Sequence, residues 1–167
     1  MSAELPPRVA VLSISTSRAT GGDADDLSGA ELVRFAERLG GEVISVELLP
    51  DAQTNIEERM RRLADVERCD LILTTGGTGL APDDVTPEAT LEVAEREAPG
   101  LAEAMRLASR EHTPHWMLAR NRAVVRGRTL IVNFPGSPKS IAETGAALAA
   151  ALPHALRLLN GLPAPHG

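Results

Sequence analysis

Apolar residues recur along the chain in two alternating rhythms, one for strands and one for helices. The run RVAVLSI, residues 8–14, is apolar and β-branched on both faces, the pattern of a parallel strand buried between helix layers. After a polar stretch, Leu32, Phe35, Ala36 and Leu39 share one face of a helix that Gly40 and Gly41 stop. The run EVISVELL, residues 42–49, predicts a second strand ended by Pro50. Thr54 with Glu57 is a capping-box signal for the next helix, whose buried face carries Ile56, Met60 and Leu63. On its wet face Glu57 with Arg61 and Glu58 with Arg62 stand four apart, a spacing that stabilises by about 0.3 kcal/mol per pair.

The short run Leu71 to Leu73 predicts a third strand, followed at once by TTGGTG, residues 74–79. Thr86 as cap with Pro87 at the first helical position starts a helix, and Pro99 with Gly100 marks a break before another at residues 101–110. Residues 123–125 and 129–134 flank Arg-Gly-Arg as a hairpin, so one strand runs antiparallel. PGSPKS, residues 135–140, ends that strand and opens a helix with Ser137 as cap and Pro138 in the first turn. The alanine-rich helix that follows is interrupted by Pro153. Strands alternating with helices at this spacing predict a single α/β domain over residues 1–167, a three-layer sandwich whose sheet is mostly parallel with one antiparallel strand. Ligands of such sheets sit beyond the carboxyl ends of the strands, where residues 13–27, 50–54, 74–87 and 135–140 form loops.

Composition narrows the partners. A net charge of −6, from 17 basic and 23 acidic residues, gives no global attraction to nucleic acid. Aromatic residues are limited to Phe35, Trp116 and Phe134, too few for base-stacking platforms, so the core is aliphatic. Cys69 is the only cysteine, which excludes an internal disulfide and a cysteine-rich zinc site. With no apolar run long enough for a membrane span and no signal pattern at the start, the expected location is the cytoplasm.

The candidate chemistry lies in the loops. Gly76, Gly77 and Gly79 allow a tight turn that presents several N–H groups to an anion, although neither the Walker nor the dinucleotide pattern is met, and a plain strand-to-loop turn would use the same glycines. PGSPKS offers a helix N-terminus, the Ser137 hydroxyl and Lys139, the one lysine in a chain that otherwise uses arginine. Asp51 and Asp84, each readable as a turn or capping residue, would beside two phosphate loops form the donor set of magnesium-assisted phosphoryl chemistry. The acidic stretch 21–26 lacks the calcium-loop pattern and reads as a solvated, mobile flap, and His112 and His115 read as loop or packing residues. No serine, histidine and aspartate spacing identifies a hydrolase.

Together TTGGTGLAPDDVTPEAT (residues 74–90), EREAPG (95–100) and NFPGSPKS (133–140) resemble the molybdopterin adenylyltransferase family, the molybdenum-cofactor biosynthesis domain also found in gephyrin, over about residues 8–159. The resemblance implies transfer of AMP from ATP to the terminal phosphate of molybdopterin with release of pyrophosphate, dependence on Mg2+, and a homotrimer that works beside other molybdenum-cofactor enzymes. It places the functional aspartates at Asp51 and Asp84, which would also hold the metal. Ligand contacts fall on Ser15, Thr75, Gly76, Gly77, Thr78, Gly79, Pro135, Gly136, Ser137, Lys139 and Ser140. This chain has Thr16 where many members have aspartate or asparagine, Asp83 where arginine is common, and Ala119 in place of a serine. Thr16 is expected to weaken one polar contact and Asp83 to add negative charge beside the site. The competing expectations are a catalytically weak molybdopterin-binding member and a nucleotide pyrophosphatase.

Overall fold

The computed structural model describes residues 5–21 and 25–163. Part of the predicted flap, residues 22–24, lies outside the described residues. In chain order the elements are β1 (Arg8–Ile14), α1 (Thr16–Ala19), α2 (Leu27–Arg38), β2 (Glu42–Leu49), α3 (Gln53–Asp65), β3 (Leu71–Thr75), α4 (Thr86–Val93), β4 (Arg96–Glu97), α5 (Pro99–Ser109), a 3-10 turn (Trp116–Leu118), β5 (Ala123–Arg126), β6 (Thr129–Phe134), α6 (Pro138–Leu148) and α7 (Ala151–Leu159).

Six strands form one sheet in the order β2-β1-β3-β6-β5-β4. Strands β2, β1, β3 and β6 are parallel, and β5 runs antiparallel between β6 and β4. The expected mixed sheet with one reversed strand is therefore present. Alternate residues of each central strand serve two cores. Val9, Val11, Leu71, Leu73, Leu130 and Val132 pack with α2, α5, α6 and α7. Ala10, Leu12, Ile72 and Ile131 pack with α3 and α4 through Ile56, Met60, Leu63, Ala89 and Val93. Both faces of β1, β3 and β6 are thus covered, as their continuous apolar runs require. The four parallel strands end at one edge, which collects the loops after Ile14, Leu49, Thr75 and Phe134. No helix among the described residues is long and apolar enough to cross a membrane.

Local signals misplace several boundaries. Thr74 and Thr75 belong to β3, because their backbone pairs with Asn133 and Phe134 of β6, so the glycine loop begins at Gly76. The capping box at Thr54 is absent: α3 is preceded by Ala52, without a side-chain cap. Glu57 does pair with Arg61, but Arg62 turns to Glu67. Thr86 lies inside the start of α4, behind Val85, and its hydroxyl donates outward to the Gly76 carbonyl. Pro99 opens α5 and does not precede it, since a proline at the first helical position removes only an N–H without an intrahelical partner. Pro153 lies within the first turn of α7, and the break falls before it at Ala149 and Ala150. The physical reason is that proline lacks the N–H that the Ala149 carbonyl would need and its ring crowds that carbonyl. The two-residue strand β4 is too short to leave a periodic pattern.

Candidate active site

Three of the edge loops converge, and glycines mark where they touch. Gly76 adopts φ +92° and Gly77 φ +65°, a region that side-chain-bearing residues rarely enter. A Cβ on Gly76 would overlap the Ile14 carbonyl oxygen, and one on Gly77 would overlap the Thr86 hydroxyl while lying 3.3 Å from Asp51 Oδ1. A Cβ on Gly79 would stand 2.7 Å from Asp84 Oδ2, and one on Gly136 would stand 3.7 Å from the Cα of Gly76. Asp51, Asp84, the glycine loop and the PGSPKS loop are therefore neighbours.

The glycine loop is held by its carbonyls. The Thr86 hydroxyl donates to Gly76 O at 2.9 Å, and the Thr86 N–H to Gly77 O at 3.2 Å. The Arg120 N–H donates to Thr78 O at 3.0 Å, and its Nε–H to Gly79 O at 2.7 Å. In a trans peptide the C=O and the following N–H point in opposite directions. Tying down consecutive carbonyls from Gly76 to Gly79 therefore turns the N–H groups of Gly77, Thr78, Gly79 and Leu80 away from Thr86 and Arg120, and among the described residues these N–H groups have no hydrogen-bond acceptor, which leaves them open to an anion.

The second loop is built alike. Thr75 Oγ1 donates to Pro135 O at 2.7 Å and Ser28 Oγ to Gly136 O at 2.8 Å, which aims the Gly136 and Ser137 N–H groups the opposite way. Ser137 caps α6, accepting from the Ser140 N–H at 3.2 Å and meeting the Ser140 hydroxyl at 2.8 Å. Pro138 has no N–H, so Lys139 supplies the one first-turn N–H of α6 that this cap leaves over. The Lys139 side chain is 84% exposed and leans along α6 to Glu143, with Nζ 3.9 Å from Oε1. Its ammonium points along the helix, and it is the backbone of this segment that faces the loops.

The two acids are fixed differently. Asp51 Oδ2 accepts from the Thr16 N–H at 2.8 Å and the Thr16 hydroxyl at 2.9 Å, and the same hydroxyl accepts from the Asp51 N–H at 2.9 Å. Thr16 therefore ties the loop after β1 to the loop after β2. Ser15 precedes α1, its N–H bonded to Leu49 O at 2.8 Å and its hydroxyl 3.3 Å from that of Ser17. Asp84 Oδ2 accepts from the Ala81 N–H at 3.0 Å. Among the described residues the remaining oxygen of each acid has no hydrogen-bond donor. No three acidic, histidine or cysteine side chains there gather as a metal cage. Two carboxylates with uncommitted oxygens fit magnesium, which usually binds through one or two carboxylates plus phosphates of the substrate.

Asp83, next to Asp84, is exposed. Arg120 was not singled out from the sequence. Its guanidinium bonds Gly79 O, Asp84 O at 2.6 Å and the Glu88 carboxylate. Burial alone would raise the Glu88 carboxyl, but the Arg120 hydrogen bond and charge hold it below its ordinary range.

Residues 10–154 match the family described as "Probable molybdopterin binding domain". The chain is 41% identical to the molybdopterin adenylyltransferase of Haemophilus influenzae over 169 aligned positions, covering 93% of this chain and 85% of that protein. Among solved structures, the molybdopterin biosynthesis enzyme MoaB of Thermus thermophilus superposes with a TM-score of 0.85 at 48% identity, over 95% of this chain and 99% of that one. The molybdopterin biosynthesis Mog protein of Mycobacterium ulcerans gives 0.86 at 32% identity, over 95% and 99%. With residues 10–154 matched by the family model and nearly its full length covered by these relatives, the chain belongs to the molybdopterin-binding-domain family that includes the molybdopterin adenylyltransferases.

Proposed function

We propose that this chain is a molybdopterin adenylyltransferase acting in molybdenum-cofactor biosynthesis, transferring AMP from ATP to the terminal phosphate of molybdopterin. A molybdopterin phosphate oxygen forms a bond to the α-phosphorus of ATP as the bond from that phosphorus to the α–β bridging oxygen breaks, and pyrophosphate leaves. The observation that carries the reading is the meeting of Asp51, Asp84 and two loops whose carbonyls are tied behind them. The identity of 41% to an adenylyltransferase over almost the whole chain supports it.

The chemical problem is repulsion, because each pair of unit charges 4 Å apart opposes approach by about 4 kcal/mol at an effective dielectric of about 20. In this reading the N–H groups of the 76–80 segment and of Gly136 and Ser137 hold phosphate oxygens by fixed hydrogen bonds, needing no reorganisation during transfer. Asp51 and Asp84 would hold magnesium through their uncommitted oxygens. When bound, Mg2+ would neutralise charge on the triphosphate and its departing pyrophosphate. Thr16 keeps Asp51 from turning away, and Ala81 does the same for Asp84. Ser15, Thr75, Thr78, Pro135, Lys139 and Ser140 complete the proposed ligand-binding set, Thr75 and Ser140 by shaping the backbone. The single domain, the cytoplasm as location, a homotrimer and hand-over to other molybdenum-cofactor enzymes belong to the same proposal.

The test is pyrophosphate release from ATP and molybdopterin with magnesium, for the wild type and Asp84→Ala. Loss of turnover in the variant with molybdopterin still bound is expected. Undiminished turnover in the variant would refute the assignment of Asp84, and molybdopterin binding without turnover in the wild type would make the chain a binding member.

A further inference from the structure

The segment between Gly76 and α4 carries one of the two proposed functional acids, yet it has no regular structure and receives little support from itself. Its internal bonds include Ala81 N–H to Asp84 Oδ2 at 3.0 Å and Asp84 N–H to Ala81 O at 3.0 Å. These close a tight turn but do not fix that turn relative to the sheet. The attachment comes from a residue far along the chain. Arg120, between the 3-10 turn and β5, donates its backbone N–H to Thr78 O, its Nε–H to Gly79 O at 2.7 Å and its Nη2–H to Asp84 O at 2.6 Å, while Nη1 meets the Glu88 carboxylate in the first turn of α4.

We infer that Arg120 is the positioning residue of this site: it clamps both ends of the Asp84 turn and thereby sets where the Asp84 carboxylate stands against the glycine loop. This rests on the adenylyltransferase reading. The geometry suits only a guanidinium. Two carbonyls five residues apart in sequence are bridged by two different nitrogens of one rigid planar fork, which the single nitrogen of a lysine ammonium does not reproduce. Three of the five guanidinium N–H groups are committed to the Gly79 and Asp84 carbonyls and to the Glu88 carboxylate, so Arg120 acts through Asp84 and the loop.

The experiment measures kcat and KM for ATP and molybdopterin with Arg120→Lys, Asp84→Asn and the double variant. Arg122→Gln, two residues along and exposed in its contact with Glu97, serves as a control for loss of charge. Misplacement of a catalytic group costs on the order of 10²-fold, so Arg120→Lys is expected to lower kcat by about that factor with KM for molybdopterin unchanged. In the Asp84→Asn background the same change should cost nothing further, because the group it positions is already disabled. Arg122→Gln should keep wild-type kcat. Full kcat in Arg120→Lys, or losses that multiply in the double variant, would overturn the inference while leaving the adenylyltransferase reading intact. Full turnover in Asp84→Asn would overturn the inference together with the assignment of Asp84, whereas absence of adenylyl transfer in the wild type would overturn the adenylyltransferase reading on which it rests. As a second variant, Arg120→Ala supplied with free guanidinium should regain turnover, which an unfolded protein could not do; an Arg120→Ala protein with wild-type kcat contradicts the clamp.

Discussion

Single atoms decide how the loops can meet. Gly77→Ala forces a Cβ against the Thr86 hydroxyl and toward Asp51 from a backbone at φ +65°. Strain of this type costs about 1–3 kcal/mol. A chemical-denaturation curve should show that loss, with adenylyl transfer falling further than stability does. Cys69 is governed by its surroundings in the same way. It is 3% exposed, and burial, reinforced by the nearby Glu67, pushes its thiol up to about 11. The folded state therefore favours the neutral thiol: the associated stability is full below the ordinary thiol range near 9 and is lost as pH rises from there towards 11. At pH 8 a thiol-specific reagent should label the native protein slowly and the unfolded protein at once. The glycines and both acids were legible in the sequence because backbone freedom and charge are properties of a residue type. Thr16, Thr86 and Arg120 were not, because their partners lie 35, 10 and 41 positions away and no local pattern encodes such a pairing.

Elements show which sequence signals survive folding. Strands β1 and β2 were read with their observed bounds, Arg8–Ile14 and Glu42–Leu49, because a chain buried on both faces or ended by proline leaves an unambiguous run. Helix caps fared worse: Ser137 does cap α6, but Thr54 and Thr86 have capping sequences and do not cap. A hydroxyl with a better partner elsewhere leaves the helix end, as Thr86 does for Gly76 O. Phe35 of α2 lies against Gly145 of α6, and its ring meets that of Phe134 in β6 with centroids 5.4 Å apart at 57°. Phe134 is fully buried at the last position of β6, so Phe134→Ala should cost about 3–5 kcal/mol in unfolding free energy and loosen the PGSPKS loop that begins one residue later. At the junction of β2 and α3, Arg59 bridges Glu47 and Glu67, and its hydrogen bonds hold both carboxyls below their ordinary range. Carboxyls held low contribute stability above about pH 4.5 that is lost as the pH falls through their folded values. Arg59→Met should flatten the acid limb of a stability-versus-pH curve, as read from thermal midpoints.

For the molecule as a whole, the fold class was legible because alternating strand and helix patterns leave few ways to cover a parallel sheet. The strand order was not, since β1 lies between β2 and β3 through crossovers that no local pattern specifies. The consequence for function is that four loops, separated by up to about a hundred residues in sequence, share one edge of the sheet. Adenylyl transfer at this edge is tested by following the label of α-phosphate-labelled ATP incubated with molybdopterin and magnesium. The label is expected to become covalently attached to molybdopterin with an equal amount of unlabelled pyrophosphate released. Label recovered as free AMP without molybdopterin being consumed would contradict it and make the site that of a nucleotide pyrophosphatase.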